Sequence, residues 1–156
     1  FRELSVEHYP AEVIESGLRH VVGVDTRLVA DGTYHVVEVD GAIVAAGGWS
    51  ARPALYGGDA LAAGDDARLD PATEPARLRA FFVHPAWARR GLARRLYERC
   101  AAEARAAGFR ELVLGATLPG VPLYAALGFT AHERITHPMP DGVVFEGIRM
   151  TRRLEG

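Results

Sequence analysis

The chain has 156 residues, 49 % apolar and 24 % charged, which fits one soluble globular domain over residues 1–156 and excludes a disordered or collagen-like chain. All 18 basic residues are Arg, and Lys, Asn and Gln are absent, which excludes a Schiff-base lysine, a P-loop ending in Gly-Lys-Ser/Thr and an N-glycosylation sequon. The net charge of −2 hides a division: Arg77 to Arg110 holds nine Arg against Glu98 and Glu103, which is +7 in 34 residues, and the remainder carries −9.

Tyr9-Pro10 precedes a helical stretch, Ala11–Leu18, with Val13, Ile14 and Leu18 on one face. Thr33–Asp40 and Ala42–Trp49 read as strands, and Asp40-Gly41 between them predicts a hairpin on a type I′ turn. Residues 51–76, rich in Gly, Ala, Pro and Asp, predict a long loop of the kind that covers sites. Leu78–Val83 is a dense apolar run closed by His84-Pro85 and predicts a buried strand. From Gly91 to Ala107 a helix is expected, because Leu92, Leu96, Cys100 and Ala104 recur every four residues and Gly108 suits its end. Cys100 is the only cysteine; it falls on that apolar stripe and reads as a small buried hydrophobe. Leu112–Leu114 is a short buried strand, joined to the previous one by a right-handed βαβ unit. A short helix, Pro122–Leu127, is closed by Gly128, and two strands follow, Phe129–Ile135 and Val143–Thr151, with Asp141-Gly142 at the turn before the second. The fold class is therefore α/β (α+β), a mixed sheet flanked by helices. No apolar run reaches the ~18 residues of a membrane span, and no signal peptide is visible, so the cytoplasm is expected and a membrane partner is not.

Chemistry is densest from Phe81 to Leu96. A strand ends, the chain turns, and a helix begins near Gly91, whose unpaired first-turn N–H groups suit a phosphate. Gly91 and Ala93 are small enough for close approach, and Arg89, Arg90, Arg94 and Arg95 supply positive charge. A second motif places Tyr124 on a short helix just after the next strand.

Together these residues resemble the core of the GNAT superfamily of acyl-CoA-dependent N-acetyltransferases, over about a third of the chain. Val83-His84-Pro85 matches its Val-x-Pro, Gly91 and Ala93 its Arg/Gln-x-x-Gly-x-Gly/Ala, and Leu123, Tyr124, Gly128 and Phe129 its Leu-Tyr-x-x-x-Gly-Phe. The chain departs from the pattern at Ala88, where the family has Arg or Gln, and at Thr117 and Gly120, where it has Asn and Ala. It departs again at Arg77, where a Glu often serves as base. The resemblance implies a GNAT-like, mostly antiparallel twisted sheet whose N-terminal strand is expected upstream of Phe1.

The resemblance also implies direct transfer of an acetyl group from acetyl-CoA to an amine of a small molecule or peptide. Pantetheine would pair with the backbone of Phe81, Phe82 and Val83, and the pyrophosphate would lie over Arg89, Arg90, Gly91, Leu92, Ala93 and Arg94. Thr117 would bond a pantetheine amide, and Tyr124 would protonate the departing thiolate. The base is left open among His84, Glu74, Asp70 and water, with Glu38 read as a solvated face residue. Trp49, Tyr56, Phe81, Trp87 and the 51–76 loop are expected beside the cleft, and Asp59, Asp65 and Asp66 could attract a cationic amine.

His132 and His137 are five apart on a strand rather than four apart on a helix, so no metal is expected. A nucleic-acid partner is not expected either, because the chain shows no aromatic–basic platform. A homodimer is compatible with the resemblance. The alternative function is a catalytically silent acyl-CoA-binding or sensing module on the same fold.

Overall fold

The computed structural model describes residues 9–13, 26–55, 67–139 and 141–154. Its strands are β1 (Tyr34–Val39), β2 (Ala42–Ser50), β3 (Ala76–Val83), β4 (Glu111–Thr117), β5 (Thr130–Pro138) and β6 (Val144–Arg153), in one sheet ordered β1-β2-β3-β4-β6-β5. β3 and β4 pair in parallel and the other neighbours are antiparallel, which is the mixed, mostly antiparallel sheet expected. The helices are α1 (Thr26–Asp31), α2 (Leu92–Ala106) and α3 (Val121–Ala126). Residues 11–13 are helical, as expected for the start of Ala11–Leu18; residues 14–18 and the strand expected upstream of Phe1 lie outside the described residues. No described helix is long and apolar enough to cross a membrane.

The β1–β2 hairpin turns where Asp40 and Gly41 take φ of 50° and 82°, as the type I′ reading requires. β4 outruns its apolar run, because its ladder with β6 continues from Glu111↔Arg153 to Thr117↔Gly147. β3 differs from the buried strand expected: Leu78 is 3 % exposed but Phe82 is 53 % exposed.

The apolar stripe of α2 buries Ala93, Leu96, Tyr97, Cys100, Ala101 and Ala104, and the last four share one core with Leu78, Leu112, Leu114 and Met150 of the sheet. Each Leu so buried contributes about 2 kcal/mol. Burial pushes the Cys100 thiol up to about 12, with Glu103 nearby adding to the effect, so Cys100 is the inert hydrophobe expected.

Two polar clusters tie the layers together. Glu103 of α2 accepts hydrogen bonds from His35 Nε2 of β1 (2.8 Å), Trp49 Nε1 of β2 (3.0 Å) and Arg99 Nε (2.8 Å). Partial burial opposes its charge, but the three donors outweigh that and hold the carboxyl at about 2. On the opposite side of the chain, the Tyr9 hydroxyl donates to the Glu146 carbonyl (2.7 Å) and accepts from the Leu118 N–H (2.8 Å), while its ring stacks on Phe145.

Candidate active site

β3 and β4 pair only at Ala76↔Leu112 and Arg77↔Val113. Beyond Arg77 the strands diverge, and among the described residues the β4-facing backbone of Leu78–Val83 has no strand partner. On its other edge β3 carries a bulge. Between the pairs Gly48↔Arg79 and Ala46↔Phe82, β2 has one residue and β3 has two, Ala80 and Phe81. Ala80 takes φ 59°, a left-handed conformation that costs a non-glycine residue ~1 kcal/mol. The extra residue turns Phe82 out to solvent and lays Phe81 over Gly47, where a Cβ would stand 2.5 Å from the ring. Only glycine leaves room there.

The strand leads into a tightly bonded turn. The His84 N–H donates to the Val44 carbonyl, and His84 Nδ1 accepts from the Ala86 N–H (3.1 Å). His84 therefore organises the turn. A 3-10 turn, Pro85–Trp87, follows; Arg89 and Gly91 then take φ of 62° and 78°, and α2 starts with no side-chain cap at Gly91. The first intrahelical bond at this end runs from the Arg95 N–H to the Gly91 carbonyl, so the N–H groups of Leu92, Ala93 and Arg94 have no helical acceptor. A Cβ at Gly91 would meet nothing within 4 Å, so this turn opens onto free space. Arg89, Arg90 and Arg95 are exposed around it, with the Arg90 guanidinium stacked 4.7 Å from the Trp87 ring. Arg94 differs from the freely placed charge expected: its Nη2 donates to the Ala126 carbonyl of α3 (3.0 Å).

Tyr124, on α3, stands against β3 and the end of β4. Its ring lies 6.5 Å from Phe81 and 6.1 Å from Phe129, and Phe129 lies 5.7 Å from Tyr97, all edge-on. A Cβ at Gly120 would lie 3.1 Å from Thr117 Oγ1 and 3.2 Å from the Tyr124 ring, which places those two side chains side by side at the end of β4. Among the described residues the Tyr124 hydroxyl makes no hydrogen bond. Desolvation raises its pKa well above the ordinary 10, so it is a proton donor throughout the neutral range.

The structure therefore brings together Phe81, Tyr124 and Thr117, and beside them the turn from Arg89 to Arg94. It separates other candidates. Asp70 Oδ1 accepts from the Ala72 N–H, and Glu74 Oε1 accepts from the Asp70 N–H. Both precede the start of β3, near Gly108, at the far end of α2; that 15-residue helix puts them about 22 Å from Gly91. Their nearness in sequence is to the wrong end of the strand. Trp49 is core rather than cleft, edge-on to Phe109 and 7 % exposed. Arg77 donates to the carbonyls of Pro53 and Pro75, a structural task. Glu38 is exposed on β1. Tyr56, Asp59, Asp65 and Asp66 lie outside the described residues. Among the described residues no group of three His, Cys, Asp or Glu is placed to hold a metal, and His132 instead meets Thr151 Oγ1 at 2.6 Å. The tethers at Tyr9 and Glu103 carry no sequence signal, since their partners on other elements lie 54 to 137 positions away.

The sequence matches the acetyltransferase (GNAT) family over residues 2–129. No curated protein matches it. Among solved structures it is similar to a GCN5-related N-acetyltransferase from Rhodopseudomonas palustris, with 18 % identity, a TM-score of 0.67, and coverage of 98 % of this chain and 82 % of that one. It is similar to Ard1 from Thermoplasma volcanium, with 16 % identity, a TM-score of 0.60 and 95 % of each chain covered. It is also similar to yncA from Salmonella typhimurium, solved with acetyl-CoA, with 20 % identity, a TM-score of 0.58, and coverage of 84 % of this chain and 70 % of that one. At these identities the likeness is one of fold.

Proposed function

The chain belongs to the GNAT acetyltransferase family, and on that premise we propose that it is an N-acetyltransferase moving an acetyl group from acetyl-CoA directly to a primary amine of a small molecule or peptide. The observation that carries this reading is the divergence of β3 from β4 after Arg77↔Val113, with the open first turn of α2 beside it and Tyr124 against Phe81. When bound, acetyl-CoA supplies an activated thioester.

The residues fit such a ligand. The free edge of β3 over Phe81, Phe82 and Val83 offers backbone groups to extended pantetheine amides as an added strand would, and Thr117 offers a hydroxyl from the end of β4. The N–H groups of Leu92, Ala93 and Arg94, with Arg89, Arg90 and the space over Gly91, suit a pyrophosphate. An N–H on the β3 edge polarises the thioester carbonyl. The amine nitrogen would then bond to the carbonyl carbon as the carbon–sulfur bond breaks, Tyr124 would give its proton to the sulfur, and water would return a proton to the Tyr124 oxygen. The amine's own proton leaves through water, since Asp70 and Glu74 stand at the other end of α2 and His84 Nδ1 is engaged.

The test is thiol release from acetyl-CoA against a panel of amines. Tyr124→Phe is expected to lower kcat about a hundredfold with the Kd for CoA within about twofold. An unchanged rate removes Tyr124 as the acid. CoA binding without thiol release for any amine would make the chain a binding module.

A further inference from the structure

We propose that Arg94 is a positioning residue, whose side chain fastens the helix carrying Tyr124 to the first turn of α2 instead of ligating phosphate. α3 has six residues, too few to be stable alone. Most of its C-terminal carbonyls find partners within the turn: Leu123 and Tyr124 accept from the Leu127 N–H, Tyr124 also from Phe129, and Ala125 from Gly128. The carbonyls of Ala126 and Leu127 are taken by side chains from elsewhere. Arg94 Nη2 donates to Ala126 (3.0 Å), and Arg152 Nη1 of β6 donates to Leu127. The Arg152 guanidinium also lies 4.9 Å from the Tyr97 ring, so this second arm is anchored in the core.

Two cations thus close the end of α3 where its carbonyls concentrate negative charge, the sign the position favours. Arg94 alone among them belongs to the first turn of α2. Its N–H is one of the three without a helical acceptor, while its side chain points away to α3. One residue therefore touches both the open turn and the helix that presents Tyr124. The inference rests on Tyr124 being the acid, as proposed above.

Arg94 is exposed, so Arg94→Ala leaves the core intact. Three readings are expected together. Amide hydrogen exchange over residues 121–129 rises about tenfold, because the end of α3 loses a charged donor. The Kd for CoA stays within about twofold while kcat falls about fivefold, and Arg94→Lys, which keeps one donor, recovers most of the rate. In a Tyr124→Phe background, Arg94→Ala lowers kcat no further. Unchanged exchange overturns the tether. A tenfold weaker Kd for CoA with kcat intact makes Arg94 a phosphate ligand instead, and an additive loss in the double variant shows that it does not act through Tyr124. If Tyr124→Phe alone keeps full activity, the acid assignment fails, and the exchange measurement still decides whether Arg94 holds α3.

Discussion

The two ends of the sheet are built on opposite principles. At the end where β3 and β4 begin, the strands pair, Leu78 and Leu112 are sealed under α2, and Glu103 gathers three donors around one carboxylate. At the end where they finish, the strands part and three amides of α2 lack helical acceptors. All three non-glycine residues of positive φ among those described, Asp40, Ala80 and Arg89, lie from the β3 bulge outward, and Phe82 faces solvent. Packing is concentrated at the first end and unpaired backbone groups at the second. A single helix, α2, spans both, so the open end can keep unpaired groups without fraying.

The contrast can be broken most severely in the core. Leu112→Ala is expected to cost about 3–4 kcal/mol of stability, since Leu112 is fully buried and leaves a cavity, with the Kd for CoA unchanged in the folded fraction. Denaturant midpoints and titration calorimetry would check both halves. The mirror experiment is Gly91→Glu. A side chain there must adopt a left-handed φ of 78° and would bring negative charge to the open turn. It is expected to weaken CoA binding at least about a hundredfold while costing only ~1 kcal/mol of stability. Loss of folding with intact binding would invert the comparison.

A third test uses acid. The folded Glu103 carboxyl sits at about 2, below its ordinary value of 4.5. A depressed pKa gives stability that is full above about 4.5 and drains as pH falls toward 2. Glu103→Gln should flatten that part of the stability–pH curve and cost roughly 1–2 kcal/mol at neutral pH. An unaltered slope between pH 4.5 and 2 would show that the node contributes nothing. The smallest effect is expected at the bulge: Ala80→Gly removes the left-handed strain and should raise stability by at most ~1 kcal/mol. Falling activity in that variant would mean that the free edge of β3 needs a stiff bulge.

Local chemistry was legible wherever it was written in adjacent residues. Asp40-Gly41 announced the hairpin, the four-residue repeat announced α2, and the strand–turn–helix around Gly91 announced a turn with uncapped amides. The bulge was not legible, because Ala80 carries no turn signal of its own. Its mark lies across the ladder in Gly47, whose missing side chain has meaning only once Phe81 is placed above it. Asp70 and Glu74 misled for a related reason. They precede the central strand in sequence, and that strand leaves them at its paired end, away from the divergent edge near Phe81. Arg94 was read for its charge, whereas its hydrogen bond to Ala126 depends on two helices meeting.

Cys100 has a practical meaning beyond packing. A fully buried thiol with its pKa near 12 should react only slowly with alkylating or disulfide reagents while the chain stays folded. Thiol reagents added to the native protein would then count free CoA against a near-zero background. When the chain unfolds, the same cysteine becomes a stoichiometric titre of the denatured fraction, and one reagent can follow both turnover and folding in a single sample.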